Sequence, residues 1–392
     1  MMSSHRKTAV RWLAVLVGLV FALCDPAIKL RAEKRIELKQ VFEFKPKPWR
    51  DWPLAVLTPQ GDRIHFLSGP ILQVIDRANR RVVAKTDYSH LECPDPKEFY
   101  AWLILPSERE ILANYCTSLL VIDGRSFKVA KSIFQQSARE GVAGVELSPD
   151  GFRAAVVIQG PSEAGTYRRI VFFDTRTWTE EKSWSVNASG LAFSQDGRLL
   201  VYEKTRLLSD TEARCGIEVR EVDSGKTYSE WWPTRKWRSS PTGVSFIVDD
   251  PGCPSQPVFL PGRKNLIAAA LGESVVIWDV EKRQVVKELR GDRRIGEFLI
   301  SPDGNLLIAD VATDPDMPPP YKQDFTAWDI HSGSIVYESP KRKWTLIEGF
   351  LEPWLRTDLV LNGFSSDGRY LLVTRHKRIT LYEVVPASNA RN

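Results

Sequence analysis

The sequence predicts an all-β chain in which seven four-stranded antiparallel units follow one another and close into a ring. Three observations predict it. A short Ser-x-Asp-Gly type of turn recurs along the chain. A strand ending in an acid recurs between those turns, at intervals of 47 to 56 residues. The last unit is one strand short, while an unclaimed alternating strand precedes the first. Composition agrees: 392 residues, 43% hydrophobic and 26% charged, with 24 Gly and 25 Pro, describe an ordinary globular chain able to bury a large core.

Taken in order, the chain begins with Arg6, Lys7 and Arg11, followed by an apolar run from Trp12 to Cys24 that stops at Asp25 and Pro26. Basic residues before a short apolar stretch are the pattern of an export signal. A spanning helix needs about twenty apolar residues, so an uncleaved anchor is the second reading. We therefore expect residues 1–32 to be signal peptide and leader, 33–386 a single domain, and 387–392 a disordered tail. Of the formal net charge of +5, these three early cations account for the larger part. The remainder carries no excess pointing to nucleic acid.

The first turn of each unit is Thr58-Pro59-Gln60-Gly61, Ser148-Pro149-Asp150-Gly151, Ser194-Gln195-Asp196-Gly197, Ser301-Pro302-Asp303-Gly304 or Ser365-Ser366-Asp367-Gly368, with degraded copies at Pro106 to Arg109 and Leu260 to Arg263. Asp bonds its own backbone two residues on, and Gly accepts a positive φ. The second series of strands ends at Asp76, Asp123, Asp174, Asp223, Asp279, Asp329 and Glu383. An acid at the head of a hairpin accepts backbone N–H groups, so these seven are read as turn acids. Each unit is then strand, tight turn, strand, variable loop, strand, tight turn, strand.

With Trp278-Asp279, Trp328-Asp329 and the Ser-Pro-Asp-Gly turns in place, the sequence resembles the WD-repeat β-propeller family over nearly all of residues 35 to 386. It is nearer to divergent bacterial, quinoprotein-like or lactonase-like propellers that share only the turn signatures, because the family's Gly-His dipeptide is missing. The resemblance implies a seven-bladed β-propeller of four-stranded antiparallel blades. The last blade has strands near 359–364, 370–375 and 378–384, and residues 35–44, which alternate polar and apolar, are expected to supply its fourth.

Besides Cys24 the chain has Cys93, Cys116, Cys215 and Cys253, spaced too widely for a zinc ribbon or a redox pair. Disulfides Cys93–Cys116 and Cys215–Cys253 are expected because each closes a short local loop; four buried thiols are the alternative.

First and third turns of a meander share one face, and here they are short. Second turns and blade connections share the other, and they carry the insertions, among them Gln159 to Arg168, Thr205 to Arg214, Pro233 to Cys253, Val311 to Asp324 and Lys341 to Thr357. Long loops on a rigid frame are where binding residues gather. On that face Trp231, Trp232 and Trp237 alternate with Arg235, Lys236 and Arg238, and Lys341, Arg342 and Trp344 form a second basic-aromatic stretch. Such residues suit stacking and carboxylate pairing. The other reading has Trp231 and Trp232 ending an outer strand and packing between blades.

No catalytic or metal-binding motif is present. His65, His90, His331 and His376 are scattered without ligand spacing, the loop acids Asp249, Asp250, Asp310, Asp314 and Asp316 follow no calcium-loop pattern, and no nucleophile elbow or phosphate loop occurs. No cofactor, metal, nucleic acid or, after signal removal, membrane is expected. The sequence therefore reads as an exported (periplasmic or secreted), monomeric, non-enzymatic module that binds a protein or polymer on its long-loop face. Alternatives are a propeller enzyme of lactonase-like hydrolase or quinoprotein-like dehydrogenase type with an axial site, and a membrane-tethered sensor ectodomain.

Overall fold

Seven antiparallel sheets follow one another in chain order in the computed structural model, each a meander of four consecutive strands except the fourth, which is enlarged, and the last, which takes a strand from the N-terminal end. The structure describes residues 36–45, 54–92, 99–116, 118–134, 140–162, 165–186, 188–207, 212–233, 237–239, 245–246, 253–292, 294–311, 324–339, 359–375 and 378–386. Among them there is no helix. Blade 1 comprises Leu54–Leu57, Arg63–Ser68, Ile71–Asp76 and Arg81–Asp87; blade 2 begins at Phe99–Ile104, blade 3 at Gly141–Leu147, blade 4 at Ala188–Phe193, blade 5 at Ser255–Phe259, blade 6 at Ile295–Ile300 and blade 7 at Leu359–Phe364.

The middle strands are apolar at nearly every position because both faces of each blade are covered. Ser274–Asp279 is buried throughout, whereas the outer strand Thr179–Ser185 of blade 3 shows no buried position. The core is accordingly divided into seven clusters, one at each boundary between blades. Trp102, Trp278 and Trp328 are among its largest fully buried side chains.

The ring closes through the N-terminal strand. Ile36–Phe44 pairs antiparallel with Arg378–Pro386, from Ile36 opposite Pro386 to Phe44 opposite Ile379. Phe42 is buried beside Ile379 and Leu381 of the same blade and Ile64 and Phe66 of blade 1. An ion pair between Arg378 Nη1 and Glu43 Oε1 at 2.6 Å lies on the exposed side. A strand edge that would otherwise stand open is thus paired by the opposite end of the chain.

The tight turns follow one local chemistry. In the first turn of blade 3, Ser148 Oγ donates to Asp150 Oδ1 at 2.6 Å and accepts the Arg153 N–H at 2.9 Å, while Asp150 accepts the Phe152 N–H. Gly151 there has φ 73°. In the third turns, Asp76, Asp123, Asp279 and Asp329 each accept a backbone N–H three residues on, and Asp174 accepts one two residues on. Blade 4 departs from the sequence reading. The head of its hairpin is Glu221, whose carbonyl accepts the Gly225 N–H, and Asp223 stands two residues further along, paired with Arg153 at 2.9 Å. Glu383 also heads no turn: it lies inside Arg378–Pro386, which continues to pair with the N-terminal strand, and it accepts from Arg369.

Two of the expected loop insertions are mostly strand. Gln159 and Gly160 pair with Arg168 and Tyr167, and Thr205 and Arg206 pair with Cys215 and Arg214, so the central hairpins of blades 3 and 4 are lengthened. Asp310 likewise belongs to the strand Leu306–Val311 and is buried, not placed in the loop that follows.

Candidate functional site

First strands of neighbouring blades touch one another around the ring, so they line its axis. Each begins on the long-loop face and ends at the first turn. In blades 2 to 7 each is interrupted by a bulge near its start, between Phe99 and Ala101, Val142 and Gly144, Ser189 and Leu191, Ser255 and Val258, Ile295 and Phe298, and Leu361 and Gly363. A bulge leaves backbone N–H groups without a strand partner. Polar side chains supply one. Glu203 of blade 4 accepts the Gln256 N–H of blade 5 at 2.8 Å, and Gln256 Oε1 accepts the Phe298 N–H of blade 6 at 3.2 Å. Within blade 6, Asp310 Oδ1 accepts the Glu297 N–H. Gly296 has no Cβ, which at that position would stand 2.4 Å from Asp310 Oδ1.

The same mouth gathers two acids. Burial pushes the Asp310 carboxyl up to about 6, repulsion from Glu297 adds to this, and the backbone N–H groups of Glu297 and Gly296 oppose it. Burial also raises Glu297. Nearer the other end of the axis, Glu146 on Gly141–Leu147 is pushed up to about 8 by burial. Spacing arguments missed these acids because each comes from a different strand and only the ring assembles them. Among the described residues, no group of three His, Cys, Asp or Glu side chains is arranged to hold a metal ion.

On the long-loop face, blade 4 carries the larger construction. Its sheet has six strands, because Trp237–Ser239 pairs with the start of Glu212–Glu221 and Ser245–Phe246 pairs with Trp237–Ser239 in turn. A disulfide joins Cys215 to Cys253, with Cα atoms 5.2 Å apart, and so fastens the far end of the insertion to the blade. Cys116 is disulfide-bonded as well; Cys93 lies outside the described residues.

The predicted binding residues separate by role. Trp231 ends the outer strand Thr227–Trp231 and stacks on Trp278 of blade 5, ring centroids 6.2 Å apart at 24°. It belongs to the boundary between blades. Trp232 covers Gly216, where a Cβ would stand 2.6 Å from Cε3, and it lies between two cations, Lys204 Nζ at 5.8 Å and Arg214 Cζ at 5.6 Å from its ring centroid. Beneath it, buried Glu218 accepts from Arg220 Nε at 2.6 Å and from Thr227 at 2.7 Å, and Lys204 pairs with its other oxygen. Trp237 and Arg238 enter the added strand through their backbone. Arg235, Lys236, Lys341, Arg342 and Trp344 lie outside the described residues.

No family model matches the chain, and no curated protein matches it. The fold has solved neighbours. A chain of hydrazine synthase from Kuenenia stuttgartiensis superimposes with a TM-score of 0.58 at 15% identity, covering 86% of this chain and 97% of that one. A chain from the crystal structure of a mitotic checkpoint complex gives a TM-score of 0.60 at 11% identity, covering 92% and 96%. These likenesses establish the seven-bladed β-propeller.

Proposed function

We propose that the chain is an exported, non-enzymatic propeller that docks a protein or polymer partner on its long-loop face. The observation that carries this reading is the enlarged sheet of blade 4. An insertion that could have left the ring as a loop instead returns to add two strands, and Cys215–Cys253 pins its end. Strands and a crosslink hold a surface in place before a partner arrives, which lowers the ordering cost of binding. Between Trp232 and the added strand the sequence carries the basic residues Arg235 and Lys236, and Trp237 and Arg238 belong to that strand. A structural disulfide also fits an oxidising compartment, in keeping with the apolar run at residues 12–24; no helix among the described residues is long and apolar enough to cross a membrane.

The test is capture from the extracytoplasmic fraction by the full chain and by a variant in which residues 234–252 are replaced with a short Gly-Ser linker, followed by reconstitution with the purified captured species. Saturable binding by the full chain and loss in the variant, both melting cooperatively, is the expected result. Equal binding by both variants removes the blade 4 surface from the proposal.

A second reading, a propeller enzyme with an axial site, is favoured by one observation: Asp310 and Glu146 have carboxyls pushed up to about 6 and about 8, where a carboxyl can act as a general acid near neutral pH. Hydrolysis of lactone or ester substrates that Asp310→Asn and Glu146→Gln abolish, with folding intact, would favour it over docking.

A further inference from the structure

Around the short-turn face, the first turn of each blade is keyed to the next. The Pro106 ring lies where a Cβ on Gly151 would come within 2.8 Å, Pro302 and Gly368 repeat that contact, Gly262 N–H donates to Gln195 at 3.1 Å, and Ser366 N–H donates to the Pro59 carbonyl at 2.8 Å across the ring closure. The boundary between blades 1 and 2 is different. There the degraded turn Leu105-Pro106-Ser107-Glu108 places Glu108 at the position that Gly151 holds in blade 3: each donates its N–H at 2.8 Å to the residue three before it. Glu108 keeps the turn's positive φ, 55°, although it has a side chain. A non-Gly residue held in that region carries strain, a condition that gathers at functional sites.

This boundary holds a cavity of about 430 Å³ lined by His65, Asp62, Glu108 and the guanidinium-bearing Arg63, Arg109 and Arg125, and Arg63 pairs with Asp62 at 3.9 Å. The volume suits a small ligand. Its polar groups are unfulfilled in a particular way. Glu108 Oε1 is buried without a hydrogen-bond partner. His65 is only 4% exposed, and its Nδ1 accepts the Trp102 indole N–H at 3.0 Å. That bond leaves Nε2 as the protonated nitrogen of the neutral ring, and no described residue accepts from it. Arg109 and Arg125 make no ion pair with a described residue.

We propose that the seam between blades 1 and 2 binds a small carboxylate that also carries hydrogen-bond donors. Its carboxylate is met by the arginines, its remaining acceptor by the His65 Nε2–H, and its donors by Glu108 Oε1. A purely anionic ligand leaves Glu108 unpaired against a like charge, and a neutral polyol leaves Arg109 and Arg125 without a counterion, Arg63 alone having one in Asp62. Buried groups of this kind discriminate strongly against ligands that fail to pair them. The donors come from hydroxyls, as in an acidic sugar, or from an ammonium, as in an amino acid. The site is on the face opposite the proposed docking surface and does not depend on it.

The experiment titrates the full chain, followed by NMR of the histidine side chains, which number five and are therefore resolvable. The probes are galacturonate for hydroxyl donors, alanine for an ammonium donor, galactose for donors without a carboxylate, and succinate for carboxylates without donors. Saturable shifts of His65 with galacturonate or alanine, at least about tenfold tighter than with galactose and succinate, are expected, and the two positive probes tell the sources apart. Glu108→Gly restores the residue that the turn favours, so the ring stays folded with an unchanged or higher Tm, and affinity falls by about tenfold or more. Arg125→Ala weakens binding as well. Absence of saturation by either positive probe in the millimolar range, equal binding of succinate, or full affinity in Glu108→Gly overturns the assignment.

Discussion

Trp102 and His65 face each other across the boundary of blades 1 and 2, indole Nε1–H donating to imidazole Nδ1 at 3.0 Å, with Phe127 edge-on to the same imidazole. An imidazole in that position is held neutral. Its pKa is lowered to about 4, by burial above all and by Arg63 as well, with Asp62 partly offsetting them. Above the unfolded value of 6.5 neither state is protonated and stability is complete. As pH falls from 6.5 toward 4 the unfolded chain takes up a proton that the folded chain refuses, and about 3 kcal/mol is lost. Asp310 acts in the opposite direction over this range, so the loss is measured as the difference in denaturant unfolding between the wild type and His65→Gln at pH 7 and pH 4. His65 resonances that titrate near 6.5 in the folded protein would contradict it.

The closing strand makes the ring one cooperative unit. Phe42 reaches from that strand into the boundary between blades 7 and 1, where it meets Ile64, Phe66 and Leu381. Phe42→Ala is expected to cost about 3 kcal/mol, in the range for an emptied aromatic site in a packed core. Deleting residues 33–45 removes the whole partner of Arg378–Pro386 and is expected to lower Tm far more, through global unfolding. Hydrogen exchange that fails to spread beyond blade 7 in the deletion would show a local fray instead.

Asp279 tests the turn chemistry in isolation. Its Oδ1 accepts the N–H groups of Lys282 at 2.9 Å and Glu281 at 3.1 Å. Asp279→Ala is expected to cost about 1 kcal/mol, the usual worth of a lost cap or turn bond, and Asp279→Asn to recover part of it. Thermal melts of the two variants decide the point.

The ring was legible because its turns are local chemistry repeated at a fixed interval. Ser148 and Asp150 lie two residues apart and act on backbone within five residues of each other, so a pattern search meets all of the information. The closing strand was legible by elimination, since Arg35 to Phe44 alternated and belonged nowhere else. What escaped was anything assembled between blades. Asp310 and Glu297 read as a loop acid and an unremarked strand residue until a bulge brought the Glu297 N–H to Asp310. His65 read as one scattered histidine because its partner Trp102 is 37 residues away. Asp223 resembles the other acids of the series in sequence, whereas register gives the head of the hairpin to Glu221.

The blade 4 insertion depends on its crosslink. Cys215–Cys253 spans a sequence separation of 38 residues, and closing such a loop in the unfolded chain is worth about 4 kcal/mol. Cys253→Ala is therefore expected to lower stability by up to that amount. It is also expected to expose the segment 234–252 to limited proteolysis while the ring resists. Unchanged cleavage kinetics in the variant would show that Trp237–Ser239 and Ser245–Phe246 hold the insertion unaided.

Asp310 gives a pH dependence of the opposite sign to His65. Its carboxyl, at about 6 in the folded protein against 3.8 when free, binds a proton more tightly when folded. The stabilisation is complete below 3.8 and is lost as pH rises through 6, about 3 kcal/mol in all. Asn cannot ionise, yet its amide oxygen can still accept the Glu297 N–H, and its amide hydrogens face a neighbourhood in which Glu297 is itself an acceptor. Asp310→Asn is thus expected to match the wild type near pH 4 and to exceed it by about 2 kcal/mol near pH 8. Urea unfolding at the two pH values measures the difference, and a variant less stable than the wild type at pH 8 would mean that the ionised carboxylate is held by interactions stronger than its burial.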